Sequence, residues 1–283
     1  MNIQKFLGIA SFGLTLLAGA GAARAEGGQP IGDPGVRMPL PFAQRPLTLP
    51  KMTLAPQLGF KVTHISSDGF SLPTIVDLEA GAHFGITDDF EVGVLALPIR
   101  FAPDFGFGNP RLEATYRFLK GDVEIGARLG VTFITTKGAS GASLEPGLPI
   151  LFHLGPSARL DTGVFFPLTF GTAPSVAGFG IGLGSDTTVG LRAPVRFTYN
   201  VLPELYLGAQ SGLAIADLGH AGDSMYVPLG FVAGYAIAGE KGPLLDIDPY
   251  FTFPLFATPS SDGDKINPGF IQTGVTATLY LYL

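Results

Sequence analysis

The sequence predicts an all-β fold, an antiparallel transmembrane β-barrel of about 12 strands preceded by a cleaved signal peptide. Three observations carry this. The last stretch, 269–283, alternates apolar Ile271, Val275, Ala277, Leu279, Leu281 and Leu283 with Gln272, Thr276, Thr278, Tyr280 and Tyr282. That two-residue period is a strand with one greasy and one wet face, and it runs to the last residue. Second, 46% of residues are hydrophobic and 14% charged. No mature stretch approaches the ~20 apolar residues of a spanning helix, and Gly 40 with Pro 24 argues against long helices. Third, the rest of the chain divides into an even number of alternating runs with short and long connections in turn.

Taken in order, Lys5 gives a positive start, 6–22 a weakly apolar core, and Ala23, Arg24 and Ala25 a small-residue cleavage site. Residues 1–25 are therefore expected to be a signal peptide. Removing Lys5 and Arg24 from 17 basic residues leaves 15 against 23 acidic ones, a net charge of −8. Such a chain has no electrostatic case for nucleic acid. Residues 26–50 hold too much proline and glycine for regular structure. They form either a flexible periplasmic leader or a short plug, and their length favours the leader. The barrel is expected over 51–283.

Strands are placed near 51–65, 69–86, 90–102, 108–119, 122–136, 143–154, 158–170, 186–199, 204–216, 224–238, 243–257 and 269–283. Each exceeds the ~9–11 residues that cross a bilayer at a tilt. Connections at 87–89, 120–121, 155–157, 201–203 and 239–242 are tight, and those at 137–142, 171–185, 217–223 and 258–267 are looser. Aromatics before the tight turns (Phe84, Tyr116, Phe118, Phe152, Phe197, Tyr199 and Tyr235) suit an interfacial girdle, although the chain has no Trp.

The charges point inward. In the hairpin 111–130, Leu112, Ala114, Tyr116 and Phe118 share a face with Val123, Ile125, Ala127 and Leu129, and Arg111, Glu113 and Arg117 share the other with Glu124 and Arg128. A two-residue turn at Lys120 and Gly121 would set 117 opposite 124 and 113 opposite 128. An arginine facing lipid near the midplane costs about 2–4 kcal/mol, so these residues form a lumen network. The same alternation sends Lys61, Arg159, Arg192 and Arg196 inward, with Asp77, Glu79, Glu91, Glu145, Asp161, Glu204, Asp246 and Asp248. Arg192 and Arg196 have no evident carboxylate opposite, since the next strand offers Tyr206 and Gln210. Arg192, Arg196, Tyr206 and Gln210 are the candidate pore contacts for an anionic or aromatic solute.

The stretch HFGITDDFEVGV, followed by GFGNPRLEATYRFL, resembles the outer-membrane transporters associated with meta-pathway phenol degradation. Asn109 and Pro110 stand where that family usually has Gly-Asp, and Thr115 where it often has Lys. The resemblance covers mainly 50–135. It implies a transporter-like barrel passing a small aromatic or hydrophobic solute. The C-terminal strand also resembles the one by which bacterial outer-membrane barrels engage their assembly machinery, with Leu283 in place of the usual phenylalanine.

Two other functions compete. One is a closed structural barrel of the envelope. The other is a lipid hydrolase, in which His64, Ser66 and Asn267 resemble the Ser-His-Asn set of the outer-membrane phospholipase. No catalytic residue, cofactor or metal site is otherwise expected, and the absence of cysteine removes thiol chemistry. The expected location is the outer membrane. The expected partners are outer-membrane lipid and lipopolysaccharide, the assembly machinery through 269–283, and a small solute, with no nucleic acid.

Overall fold

The computed structural model describes residues 37–67, 70–71, 73–135, 140–172, 187–258, 265–266 and 268–283. The predicted signal peptide and residues 26–36 lie outside them. Among the described residues twelve principal strands form one closed antiparallel sheet. In chain order they are β1 (Thr53–Ser67), β2 (Ile75–Thr87), β3 (Phe90–Ala102), β4 (Arg111–Leu119), β5 (Val123–Ile134) and β6 (Ser140–His153). Then come β7 (Ala158–Phe165), β8 (Leu191–Asn200), β9 (Leu205–Ile215), β10 (Met225–Gly239), β11 (Gly242–Thr258) and β12 (Phe270–Leu279). Short paired segments such as Leu168–Thr172 and Leu281–Tyr282 extend them.

Closure comes from β1, which pairs with β2 on one side (Lys61 opposite Asp77) and with β12 on the other (Lys61 opposite Gly274). Every strand thus satisfies its backbone within the sheet, as lipid demands. The faces divide as the two-residue period requires. Leu58, Phe60, Leu97, Phe101, Leu129, Phe133, Leu207 and Phe231 point outward and remain between 44% and 53% exposed, an apolar belt for lipid. Asp77, Glu113, Arg117, Glu124, Glu145, Arg159 and Asp246 are buried within the lumen.

Two departures from simple alternation matter. The β4–β5 connection is not a two-residue turn. Leu119 pairs with Ile125, a register shift follows toward Arg117, and Arg117 then faces Gly126 while Glu113 faces Gly130. The register is displaced by two residues from the expected one, which keeps every side chain on its face. In β3, register shifts against both neighbours around Val94 and Ala96 invert the alternation. Arg100 therefore turns inward, where its Nε donates to Asp77 Oδ1 at 3.1 Å.

A third feature crosses several strands. Pro149 pairs with Gly163, and Pro194 with Gly212. Gly163 lies opposite Pro194, between the Thr162–Val195 and Phe165–Arg192 bridges. Gly212 lies opposite Pro228, between Ser211–Leu229 and Ala214–Tyr226. Five strands from β6 to β10 so share an inward row of proline and glycine. Hydroxyls serve the proline carbonyls there, with Thr162 Oγ1 donating to Pro194 O (2.8 Å) and Ser211 Oγ to Pro228 O (2.9 Å).

Candidate functional site

Residues 37–50 lie across the mouth at the end of the barrel with the tight turns. The segment meets each of the five short connections or a strand residue beside it. The Arg37 N–H donates to Lys241 O (2.8 Å), that of Ala43 to Asn200 Oδ1 (2.8 Å), and Gln44 Nε2 to Pro156 O (3.0 Å). The Leu47 N–H donates to Glu124 Oε2 (2.8 Å) and Thr48 Oγ1 to Asp88 O (2.8 Å). Pro39, Pro41, Pro46 and Pro50 limit this stretch to one 3-10 turn of its own at Phe42–Gln44, so the amides of Leu47 and Leu49 take the lumen carboxylates of Glu124 and Glu91 as acceptors. Arg45 is the central tie. Its guanidinium forms a bidentate pair with Asp246, the side chains being 5% and 2% exposed, and Tyr280 Oη donates to the same carboxylate at 2.8 Å.

The lumen wall has two unlike halves. From β2 to β7 it is a charge network. Arg117 Nη1 donates to Glu124 Oε2 (2.9 Å) and Nη2 to Asp89 Oδ1 (3.0 Å). Glu113 lies 3.7 Å from Arg111 and 3.8 Å from Arg128, and Arg111 Nη2 reaches Glu145 Oε1 at 2.6 Å. The expected lattice of Arg111, Glu113, Arg117, Glu124 and Arg128 is thus assembled diagonally despite the displaced register. His153 joins it, bridging Ala43 O (2.9 Å) and Glu124 Oε1 (3.2 Å). At the turn, Lys120 and Arg117 hold the Asp89 carboxyl below the usual range.

From β8 through β12 to β1 the wall is mostly uncharged, and a cavity of about 650 Å³ lies against it. Arg192, Arg196, Tyr206 and Gln210 all line this cavity, with Tyr226 and Tyr250 beyond them. Arg196 and Gln210 are register partners. Arg192 does have a carboxylate, contrary to expectation. Its Nη2 donates at 2.6 Å to Glu145 Oε1 on β6, the oxygen that Arg111 also uses. The short β7 between them contributes Phe165, over which Arg128 and Arg192 lie at 5.5 and 5.8 Å. Arg196 faces Asp161 in register, but Asp161 is held by Arg159 at 2.5 Å. Tyr206 donates its hydroxyl to Asp248 Oδ1 at 2.5 Å. The prolines and glycines of the inward row (Pro194, Gly212, Pro228) keep the cavity free of longer side chains.

Sequence reasoning missed Phe42, Arg45 and Arg100. A signal for missing cations was available, since the inward acids outnumbered the inward bases. His83, Glu91 and Glu113 bring ligand-type atoms within 4.8 Å of one another. His83 Nδ1 is bonded to Glu91 Oε1 (2.7 Å), and Glu113 faces two arginines, so the cluster reads as part of the charge network. His64 and Ser66 lie on the outward face, His64 Nδ1 being 3.3 Å from Thr74 Oγ1. Asn267 lies outside the described residues.

No protein-family model matches the chain, and no curated relative does. Among solved structures it is similar to the NanC porin, with 9% identity over 79% of this chain and 100% of that one and a TM-score of 0.54. It is also similar to the COG4313 outer membrane channel from Pseudomonas putida F1, with 13% identity over 88% of this chain and 100% of that one and a TM-score of 0.52. At these identities the likeness is one of fold. The antiparallel barrel of about 12 strands expected from the sequence is the fold found.

Proposed function

We propose that this chain is a passive outer-membrane channel for a small aromatic or hydrophobic solute, acting without catalysis. The carrying observation is the 650 Å³ lumen cavity in which Arg192, Arg196, Tyr206 and Gln210 converge. A barrel serving only as an envelope strut gains nothing from an unfilled cavity edged by arginines. The location is supported by the apolar outer belt and the closed sheet, which only a lipid surround satisfies. A channel role also agrees with both structural neighbours, one a porin and the other an outer membrane channel.

Within this reading, Arg192 and Arg196 attract and orient the solute, Tyr206 offers a ring face, and Gln210 a hydrogen-bonding edge. The C-terminal strand from Gly269 to Leu283 is the segment offered to the assembly machinery. The experiment is solute uptake by liposomes carrying the refolded barrel, with a sugar, an amino acid and a phenolic compound. Preferential entry of the phenolic, reduced in Arg192→Ala with Arg196→Ala, is expected. Exclusion of all three solutes, with residues 26–50 present or deleted, would refute the channel.

A further inference from the structure

Phe42, from the segment at the mouth, occupies a position out of keeping with a mere linker. Its ring stacks on Tyr206 with centroids 4.4 Å apart and planes 24° from parallel. Three guanidinium carbons surround it, those of Arg159 at 4.6 Å, Arg196 at 5.1 Å and Arg45 at 5.6 Å. Two of the three are neutralised, Arg159 by Asp161 and Arg45 by Asp246. Arg196 has no hydrogen bond or ion pair among the described residues, and its buried Nε lacks a partner. The aromatic face satisfies the quadrupole side of this box, and the Arg196 charge is met only through space by Asp248, whose carboxylate accepts from Tyr206 and lines the same cavity. A cation–π contact is weaker than a charge-assisted hydrogen bond to a carboxylate. Phe42 also lines the 650 Å³ cavity, so a solute in that cavity meets its ring directly.

We infer that the Phe42 box is a binding site for a small planar aromatic carboxylate of the benzoate type. The solute takes the face of Tyr206 from Phe42 and sets its carboxylate on Arg196, displacing the Phe42 ring while Arg45 keeps residues 37–50 tied to Asp246. Phe42 is on this view a tethered stand-in for the solute. The inference rests on the channel reading and adds both the charge of the solute and the residue it displaces.

The chain has no tryptophan, so Phe42→Trp gives the full-length barrel a single indole reporter. Benzoate should shift its emission to the red saturably, and cyclohexanecarboxylate and acetate should not at the same concentration. In Phe42→Trp with Arg196→Gln, the midpoint should rise about tenfold or more, as loss of a charge-assisted bond implies. By calorimetry, Phe42→Ala should bind benzoate roughly two- to tenfold more tightly, because the competing ring is gone. Heat-resistant electrophoretic migration establishes that each variant is folded. Unmoved indole emission, or weaker binding by Phe42→Ala, would overturn the inference. If liposomes still take up phenolics in that case, the channel reading survives. If the indole moves but no solute enters liposomes carrying Phe42→Ala, the binding site stands and the channel reading fails.

Discussion

Replacing Arg45 by methionine keeps most of the side-chain volume and removes one partner of a pair that is nearly closed to solvent. Asp246 would remain charged and buried, with only Tyr280 Oη donating to it. Breaking such a pair from one side costs about 3–5 kcal/mol. The barrel wall does not depend on Arg45, so the loss falls on the docking of residues 37–50. It lowers the docked-to-undocked ratio by roughly two to three and a half orders of magnitude. Hydrogen exchange reads this directly. The amides of Ala43, Leu47 and Leu49, which donate to Asn200, Glu124 and Glu91, should lose protection while strand amides keep theirs. Adding Asp246→Asn should restore part of that protection by removing the orphan charge. Unchanged protection of the three amides in a folded Arg45→Met barrel would refute the account of Arg45 as the central tie.

Glu145→Gln should leave Arg111 and Arg192 without the carboxylate they share at 2.6 Å. The reversal potential across a salt gradient should move toward anion selectivity, with about 1.5–3 kcal/mol of stability lost per charged bond in urea titrations. Phe60→Arg, outward near the middle of β1, should cost about 2–4 kcal/mol in refolding into bilayers, whereas Gln57→Arg on the lumen face should cost less. Asp89 contributes to acid stability in a defined direction. Its folded-state carboxyl is held down by Lys120 and Arg117, so its contribution is present above the unfolded value and lost as pH falls through the folded one. The urea midpoint of Asp89→Asn should accordingly fall less between neutral and acid pH than that of the parent.

What the sequence made legible was whatever a two-residue period controls. The strands, the short and long connections and the inward faces of Arg117, Glu124, Tyr206 and Gln210 follow from alternation and turn chemistry alone. Arg100 was hidden because register shifts in β3 invert that alternation, and no residue there marks the inversion. The Arg192–Glu145 contact spans β7, and pattern reading pairs only adjacent strands. Phe42 and Arg45 were hidden for a different reason. A segment without periodicity takes its conformation from the surface it lies on, and the acceptors for its amides and for the Thr48 hydroxyl (Asn200, Glu124, Glu91 and Asp88) are scattered over more than a hundred positions.

The inward proline row has a consequence that precedes the finished barrel. Before closure, β6, β8 and β10 are strand-forming segments whose edges are unpaired and open to pairing between chains. Pro149, Pro194 and Pro228 each delete a ladder donor inside such a segment, Pro194 and Pro228 at its fourth residue and Pro149 at its tenth. A stray copy could pair with only part of the segment before meeting a gap. Inside the closed wall the glycines opposite accommodate the rings. In open chains no such match is at hand, so the residues that clear the cavity also discourage self-association on the way to the membrane.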